Sequence, residues 1–215
     1  MITETNLPLG KAELTAFSRS NNEPAWLTEA REKAYDAFQT LPMPKPDKTK
    51  ITKWNFTEFP VHTVKSETYS SLEELPAEVK TLVDTESSQN LFVQRNNTPA
   101  YVTLSESLKE KGVIFTDIFT AAREHSALVE KYFMKKGIKS DEHKLTALHA
   151  ACMNGGVFVY VPKNVEIEEP LQAVFLRDDE QASLFNHVLI VADVNSKVTY
   201  VENYISTVEG AGLAN

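Results

Sequence analysis

The chain has 215 residues, 42% hydrophobic and 24% charged, with a formal net charge of −8. That is enough apolar material for one or two folded domains, and the negative charge argues against nucleic acid as a partner. One cysteine, Cys152, excludes an intrachain disulfide and any multi-cysteine metal site, and fits a reducing cytoplasm.

The N-terminus, Met1-Ile2-Thr3-Glu4, lacks the basic-then-apolar pattern of a signal peptide, and no apolar run is long enough to span a membrane. Up to about Asn21 the chain reads as a mobile lead-in with a short helix over Lys11–Phe17. The first strong element follows, with Asn22 expected as N-cap and Pro24 in the first turn. Trp26, Leu27, Ala30, Ala34, Ala37, Phe38 and Leu41 recur at helical spacing and form one apolar face. Pro42, Pro44 and Pro46 end this helix and force an extended linker over about 42–50. Lys45, Lys48, Lys50 and Lys53 cluster here and read as a solvated basic linker. Trp54-Asn55-Phe56 is expected to anchor the linker to the domain.

Residues His62 to Ser88 are polar, with a short helix indicated by Leu72, Leu75, Val79 and Leu82 around Pro76. A β-hairpin is expected near 89–104, from Asn90–Val93 and Ala100–Leu104 across Arg95-Asn96-Asn97-Thr98. Gly112 closes a short helix and Val113-Ile114-Phe115 is a brief strand. Thr116 or Asp117 then caps a helix over Ile118–Arg123. The next helix runs over about Ala127–Lys136, with Lys135 and Lys136 in its last turn and Gly137 just past it. Ser140 is expected to cap one more, through Leu145, Leu148, Ala151 and Cys152. From Asn154 the helical period vanishes. Strands are predicted over Val157–Val161, Val165–Ile167, Leu171–Leu176, Phe185–Ala192 and Lys197–Tyr204. Their spacing fits solenoid coils of roughly 20–30 residues and also a sandwich.

No residue stands out as catalytic, cofactor-binding or metal-ligating. Cys152, near a helix C-terminus where the dipole opposes a thiolate, reads as a buried structural thiol. His62, His125, His143, His149 and His187 show no ligand spacing: His143 and His149 are six apart and share no helix face. His125 reads as exposed, and His187 either faces a sheet interior, where it needs a partner, or faces solvent. Asp178-Asp179-Glu180 reads as a solvated loop tip. Gly155-Gly156 leads from helix into strand, the wrong order for a phosphate loop.

Several phrases together resemble one family. They are Glu23-Pro24-Ala25-Trp26-Leu27 through Arg31, Leu41-Pro42-Met43-Pro44-Lys45, Trp54-Asn55 and Gly112-Val113-Ile114-Phe115. They continue with Asn154-Gly155-Gly156 to Val161-Pro162-Lys163, Glu169-Pro170-Leu171-Gln172-Ala173, Leu189–Asp193 and Val198–Glu202. They are similar to the SufB/SufD proteins of iron–sulfur cluster assembly, on the SufD side. Where SufB-type chains continue Val-Glu with Gly-Cys-Thr, this one has Asn203-Tyr204-Ile205.

The resemblance implies an α+β fold: a mainly helical N-terminal domain over 1–153, then the first coils of a right-handed parallel β-helix over 154–215, truncated within it. It implies a non-catalytic scaffold subunit that works with SufB and the SufC ATPase in the cytoplasm, without nucleic acid or membrane. No cofactor is expected on this chain alone; the iron–sulfur cluster is assembled transiently by the full complex. The family's ATPase contact and cluster-linked histidine lie in its later half, so no site residue is carried over. The run ending Gly210-Ala211-Gly212-Leu213-Ala214-Asn215 reads as the middle of a solenoid, whose uncapped coil would tend to associate. Two alternatives are a polysaccharide-processing enzyme on a parallel β-helix, which needs carboxylates or basic residues aligned on one face of successive coils, and a plain interaction module that lends its strand edges to a partner.

Overall fold

The computed structural model describes residues 7, 9–51, 54–59, 62–83 and 89–209. Lys53, Ser88, the N-terminal Met1-Ile2-Thr3-Glu4 and the terminal run from Gly210 lie outside them.

Two helices open the chain, α1 (Lys11–Ser20) and α2 (Ala25–Thr40). The turn between them corrects one expectation. Asn22 does not cap α2; it sits at φ 52°, just past the end of α1. The Glu23 N–H donates to Ser18 O and the Asn22 N–H to Arg19 O, both at 3.0 Å, which closes a Schellman motif. Asparagine is chosen here because it tolerates the left-handed region. Pro24 is the residue before α2, and its carbonyl accepts from Leu27 and Thr28.

After the proline linker, a single 3-10 turn (Leu72–Glu74) and α3 (Ala77–Lys80) precede the hairpin β1 (Leu91–Arg95) and β2 (Thr98–Thr103). The Asn96-Asn97 turn matches expectation, with Asn96 at φ 50°. Then come α4 (Glu106–Glu110), β3 (Ile114–Asp117), α5 (Ile118–Glu124), α6 (Ser126–Tyr132) and α7 (Lys144–Cys152). Asp117 caps α5 by accepting from the N–H groups of Phe119 and Thr120. The last strands are β4 (Gly155–Val161), β5 (Leu171–Arg177), β6 (Asn186–Ala192) and β7 (Tyr200–Ser206).

The result is a mixed α+β structure with two mixed sheets. One has the order β2-β1-β5-β7, the other β3-β4-β6. Each has one antiparallel pair at its early end, β1 with β2 or β3 with β4; all other pairings are parallel. Both sheets draw on strands from either side of residue 153. Between them lies an apolar core of Phe92, Phe115, Val157, Val159, Leu171, Ala173 and Phe175. The opposite face of the β4 sheet packs on α5 and α6 through Ile118, Phe119, Val129 and Phe133. Helix α2 docks on the alanine-rich α7, burying Ala34 and Phe38 against Ala147, Ala150 and Ala151. Small side chains let the two helices approach closely, and burial of Phe38 contributes roughly 1.5–3 kcal/mol.

Four further expectations need correction. Trp54 does not anchor the linker: it is 60% exposed, and Phe56 beside it packs on the core instead. Helix α6 stops at Tyr132, so Lys135, Lys136 and Gly137 lie beyond it. There the chain turns through Met134 at φ 46°, which brings the Phe133 ring 5.8 Å from Trp26 and 4.7 Å from His187. Burying Phe133 outweighs another turn of polar helix. Finally, α7 is capped by His143, not Ser140: the Thr146 N–H donates to His143 Nδ1 at 3.2 Å. Val165–Ile167 is not a full strand and contributes only the parallel bridge Glu166–Lys197.

Candidate functional site

Two regions hold the unusual features: a buried polar junction between helices and sheet, and the outer edge formed by β6 and β7.

The junction begins with an ion pair that the sequence pattern did not single out. Arg31 on α2 and Glu23 are both fully buried. The guanidinium donates Nε–H to Glu23 Oε2 at 2.8 Å and Nη2–H to Oε1 at 2.7 Å, and Nη1 reaches the Ala151 carbonyl at 3.0 Å. Ser18 Oγ donates a further bond to Glu23. The guanidinium also lies over the Phe17 ring. Helices α1, α2 and α7 are therefore tied at one point. The only sequence signal was that Glu23 and Arg31 bound one phrase of the family resemblance.

Three of the five histidines line this junction. His62 Nε2 bonds the Cys152 carbonyl at 2.7 Å, and burial lowers its pKa to about 4. His149 on α7 and His187 on β6 bond each other, Nε2 to Nδ1, at 3.0 Å. Burial lowers them to about 4 and about 3, helped by Arg31 near His149 and by His149 near His187. His187 thus faces the helices, and its partner is His149. His143 is a helix cap, and His125 is half-buried rather than exposed, joining α5 to α6. Among the described residues no group of three His, Cys, Asp or Glu could hold a metal ion.

Cys152 is buried, and burial pushes its thiol up to about 12. At pH 8 the thiolate fraction is then on the order of one in ten thousand. A small disulfide reagent is expected to leave Cys152 unreacted in the folded chain and to titrate one thiol in denaturant.

Asn154-Gly155-Gly156 has a structural explanation, residue by residue. Asn154 Nδ2 donates to the carbonyls of His62 and Ser183, and its Oδ1 accepts from the Phe185 N–H at 2.8 Å. A Cβ on Gly155 would lie 2.6 Å from Gln94 and Asn186 side-chain atoms. Gly156 adopts φ +127°, and its N–H donates to Gln94 Oε1 at 3.0 Å. Asp178 also departs from expectation. It is half-buried, pairing with Arg95 Nε at 2.7 Å and accepting from Asn96 Nδ2 at 2.7 Å. The Asp179 N–H also donates to Asn96 Oδ1 at 3.2 Å, while the Asp179 side chain accepts from the Gln181 N–H and the Glu180 carbonyl from Arg177.

The edge region differs in kind. Among the described residues, β6 and β7 each end a sheet with no partner on the outer side. Ile190 is 40% exposed, Tyr204 51%, and Val201 and Val194 are exposed as well. Tyr204 stacks on Phe175 of the inner core at 4.7 Å, so the core continues to this open end. At the other side, β2 is partly covered: the Tyr69 N–H donates to Ala100 O, and the Ser66 N–H to Thr98 Oγ1, both at 2.8 Å.

Comparison with known proteins shows the family of this chain. Residues 16–173 match the family model described as the SufBD protein N-terminal region. The chain belongs to the SufBD family. It is 61% identical over 209 residues to the iron-sulfur cluster assembly protein SufD of Bacillus subtilis, covering 97% of this chain and 48% of that protein. Iron-sulfur cluster assembly SufBD family proteins of Staphylococcus haemolyticus and Staphylococcus epidermidis are each 34% identical, over 86% and 88% of this chain and 42% of their own length. The SufBD chain thus spans about half the length of the curated relatives it matches. No helix among the described residues is long and apolar enough to cross a membrane.

Proposed function

We propose that this region is the N-terminal half of a non-catalytic scaffold subunit of the SUF machinery, acting with SufB and the SufC ATPase while an iron–sulfur cluster is assembled. The cluster is the cargo of the whole complex, and this chain alone holds no cofactor. The identity to the Bacillus subtilis SufD carries the reading. A cytoplasmic location fits the single, buried thiol.

We also read the strands from β4 onward as the first coils of a parallel β-helix. The chain alternates between sheets, with β4 and β6 in one and β5 and β7 in the other. Gly155 pairs with Asn186, 31 residues on, and Leu171 with Tyr200, 29 residues on. The Glu166–Lys197 bridge adds a third parallel contact at the corner. One strand per sheet per turn of about 30 residues is how a solenoid stacks, and parallel crossovers are right-handed as a rule. On this reading the open edge of β6 and β7 receives the next coil of the longer protein.

Co-expression of the full-length protein with SufB and the SufC ATPase tests the role. Stable co-purification of all three is expected; a full-length protein that folds but never joins SufB defeats it. Turnover of a polysaccharide by the chain alone would favour the glycan-enzyme alternative instead.

A further inference from the structure

We propose that the His149–His187 pair is an acid-sensitive latch that fastens helix α7 to the β6 edge of its sheet. The bond crosses the seam between helical layer and sheet at 3.0 Å, with the Phe133 ring packed against His187. His187 Nε2 is buried and has no hydrogen-bond partner among the described residues. In the neutral pair one ring donates and the other accepts. A first added proton places a cation in the seam, and a second turns both facing nitrogens into donors and abolishes the bond.

Nothing nearby compensates such a charge. From α2 the facing group is Arg31, itself a cation, whose partner Glu23 already accepts from Arg31 Nε, Arg31 Nη2 and Ser18. From the segment before β1 it is His62, bonded to the Cys152 carbonyl. From the turn after α6 it is the apolar Phe133, and from α7 itself the buried Cys152. On β4 the only titratable side chain is Tyr160, whose hydroxyl bonds Asp193 at the far end of the strand. Among the described residues no free carboxylate faces the pair.

The direction of the linkage follows. In the unfolded chain a histidine titrates near 6.5, whereas folded His149 and His187 are held near 4 and 3. Below about pH 6.5 the unfolded or unlatched form therefore binds more protons, so the latch is secure above that pH and weakens as pH falls toward the folded values. Opening would expose the apolar strip of Phe133, Phe158 and Leu189.

Trp26 reports the seam, because its ring lies 5.8 Å from Phe133 and its Nε1 donates to Ser126 Oγ. The chain has two tryptophans, so Trp54→Phe leaves Trp26 as the sole emitter. In that background, emission followed from pH 7.5 downward should change in a steep transition taking up about three protons, those of His149, His187 and His62. Adding His149→Gln and His187→Gln should cut the uptake to about one proton and move the midpoint down by about 1 pH unit. An unchanged midpoint and steepness overturns the latch. Histidine-ring NMR of the unsubstituted chain provides a reading that no folding defect can obscure. Both rings should stay neutral at pH 5.5 while folded; titration of either near 6.5 in the folded chain also overturns it.

Discussion

Gly156→Ala is expected to lower the melting temperature by roughly 10–15 °C, the equivalent of about 4 kcal/mol for a chain of this length. The added Cβ would sit 2.1 Å from the His187 carbonyl oxygen and 2.5 Å from its nitrogen. Those atoms belong to the backbone of β6, which is held to β4 in continuous parallel register from Gly155–Asn186 to Val161–Ala192. A flexible side chain could swing aside, but a paired strand cannot without breaking its ladder. The φ of +127° adds a second penalty, since L-residues with a Cβ rarely adopt it. Gly137→Ala is the control: nothing lies within 4 Å of its Cβ position, and its effect should stay within about 0.5 kcal/mol. Thermal unfolding of both variants by circular dichroism checks this. A Gly156→Ala chain melting with the parent would mean that β4 and β6 lie farther apart than described.

Arg31→Met is expected to destabilise the chain by about 3–5 kcal/mol. Methionine roughly fills the space of the arginine stem, but Glu23 then remains as a buried carboxylate with only Ser18 to satisfy it. The Ala151 carbonyl at the end of α7 also loses its donor. Most of the loss is thus the cost of stranding one charge, not the net worth of the pair. Adding Glu23→Gln should therefore recover part of it, and denaturant unfolding of the two single variants and the double gives the coupling directly. Arg31→Lys should rescue poorly. Three guanidinium nitrogens, Nε, Nη1 and Nη2, serve three acceptors in one plane, and an ammonium cannot reproduce that fork. If the two single losses sum to that of the double, the ion pair is not the tie described.

These two positions show where the sequence was readable and where it was not. Gly156 stood inside the phrase that marked the change from helix to strand, and its order excluded a phosphate loop. Its partner could not be named, because the atoms it must clear lie 31 residues on, in β6. Arg31 lay in the resembling phrase around α2, but a charged residue in an amphipathic helix ordinarily faces water. Its burial depends on Glu23 folding back from the α1–α2 turn. That turn is ambiguous in sequence, since Asn22 serves either as an N-cap or, in the left-handed region, as the close of the preceding helix. The linear order of residues does not distinguish the two.

By itself the sequence determined the local elements: the apolar face of α2, the Asn96-Asn97 hairpin, the start of α5 at Thr116 or Asp117, the β-rich run after Asn154 and the buried state of Cys152. Each depends on periodicity, turn chemistry or side-chain polarity within a few residues. Tertiary structure alone decided the rest. It ended α6 early so that Phe133 could be buried, paired Asp178 with Arg95 from β1, joined His149 to His187 across 38 residues, and left β6 and β7 as the sheet edges among the described residues. Those outcomes are contacts between segments far apart in the chain, and their free energy exists only once the segments have met.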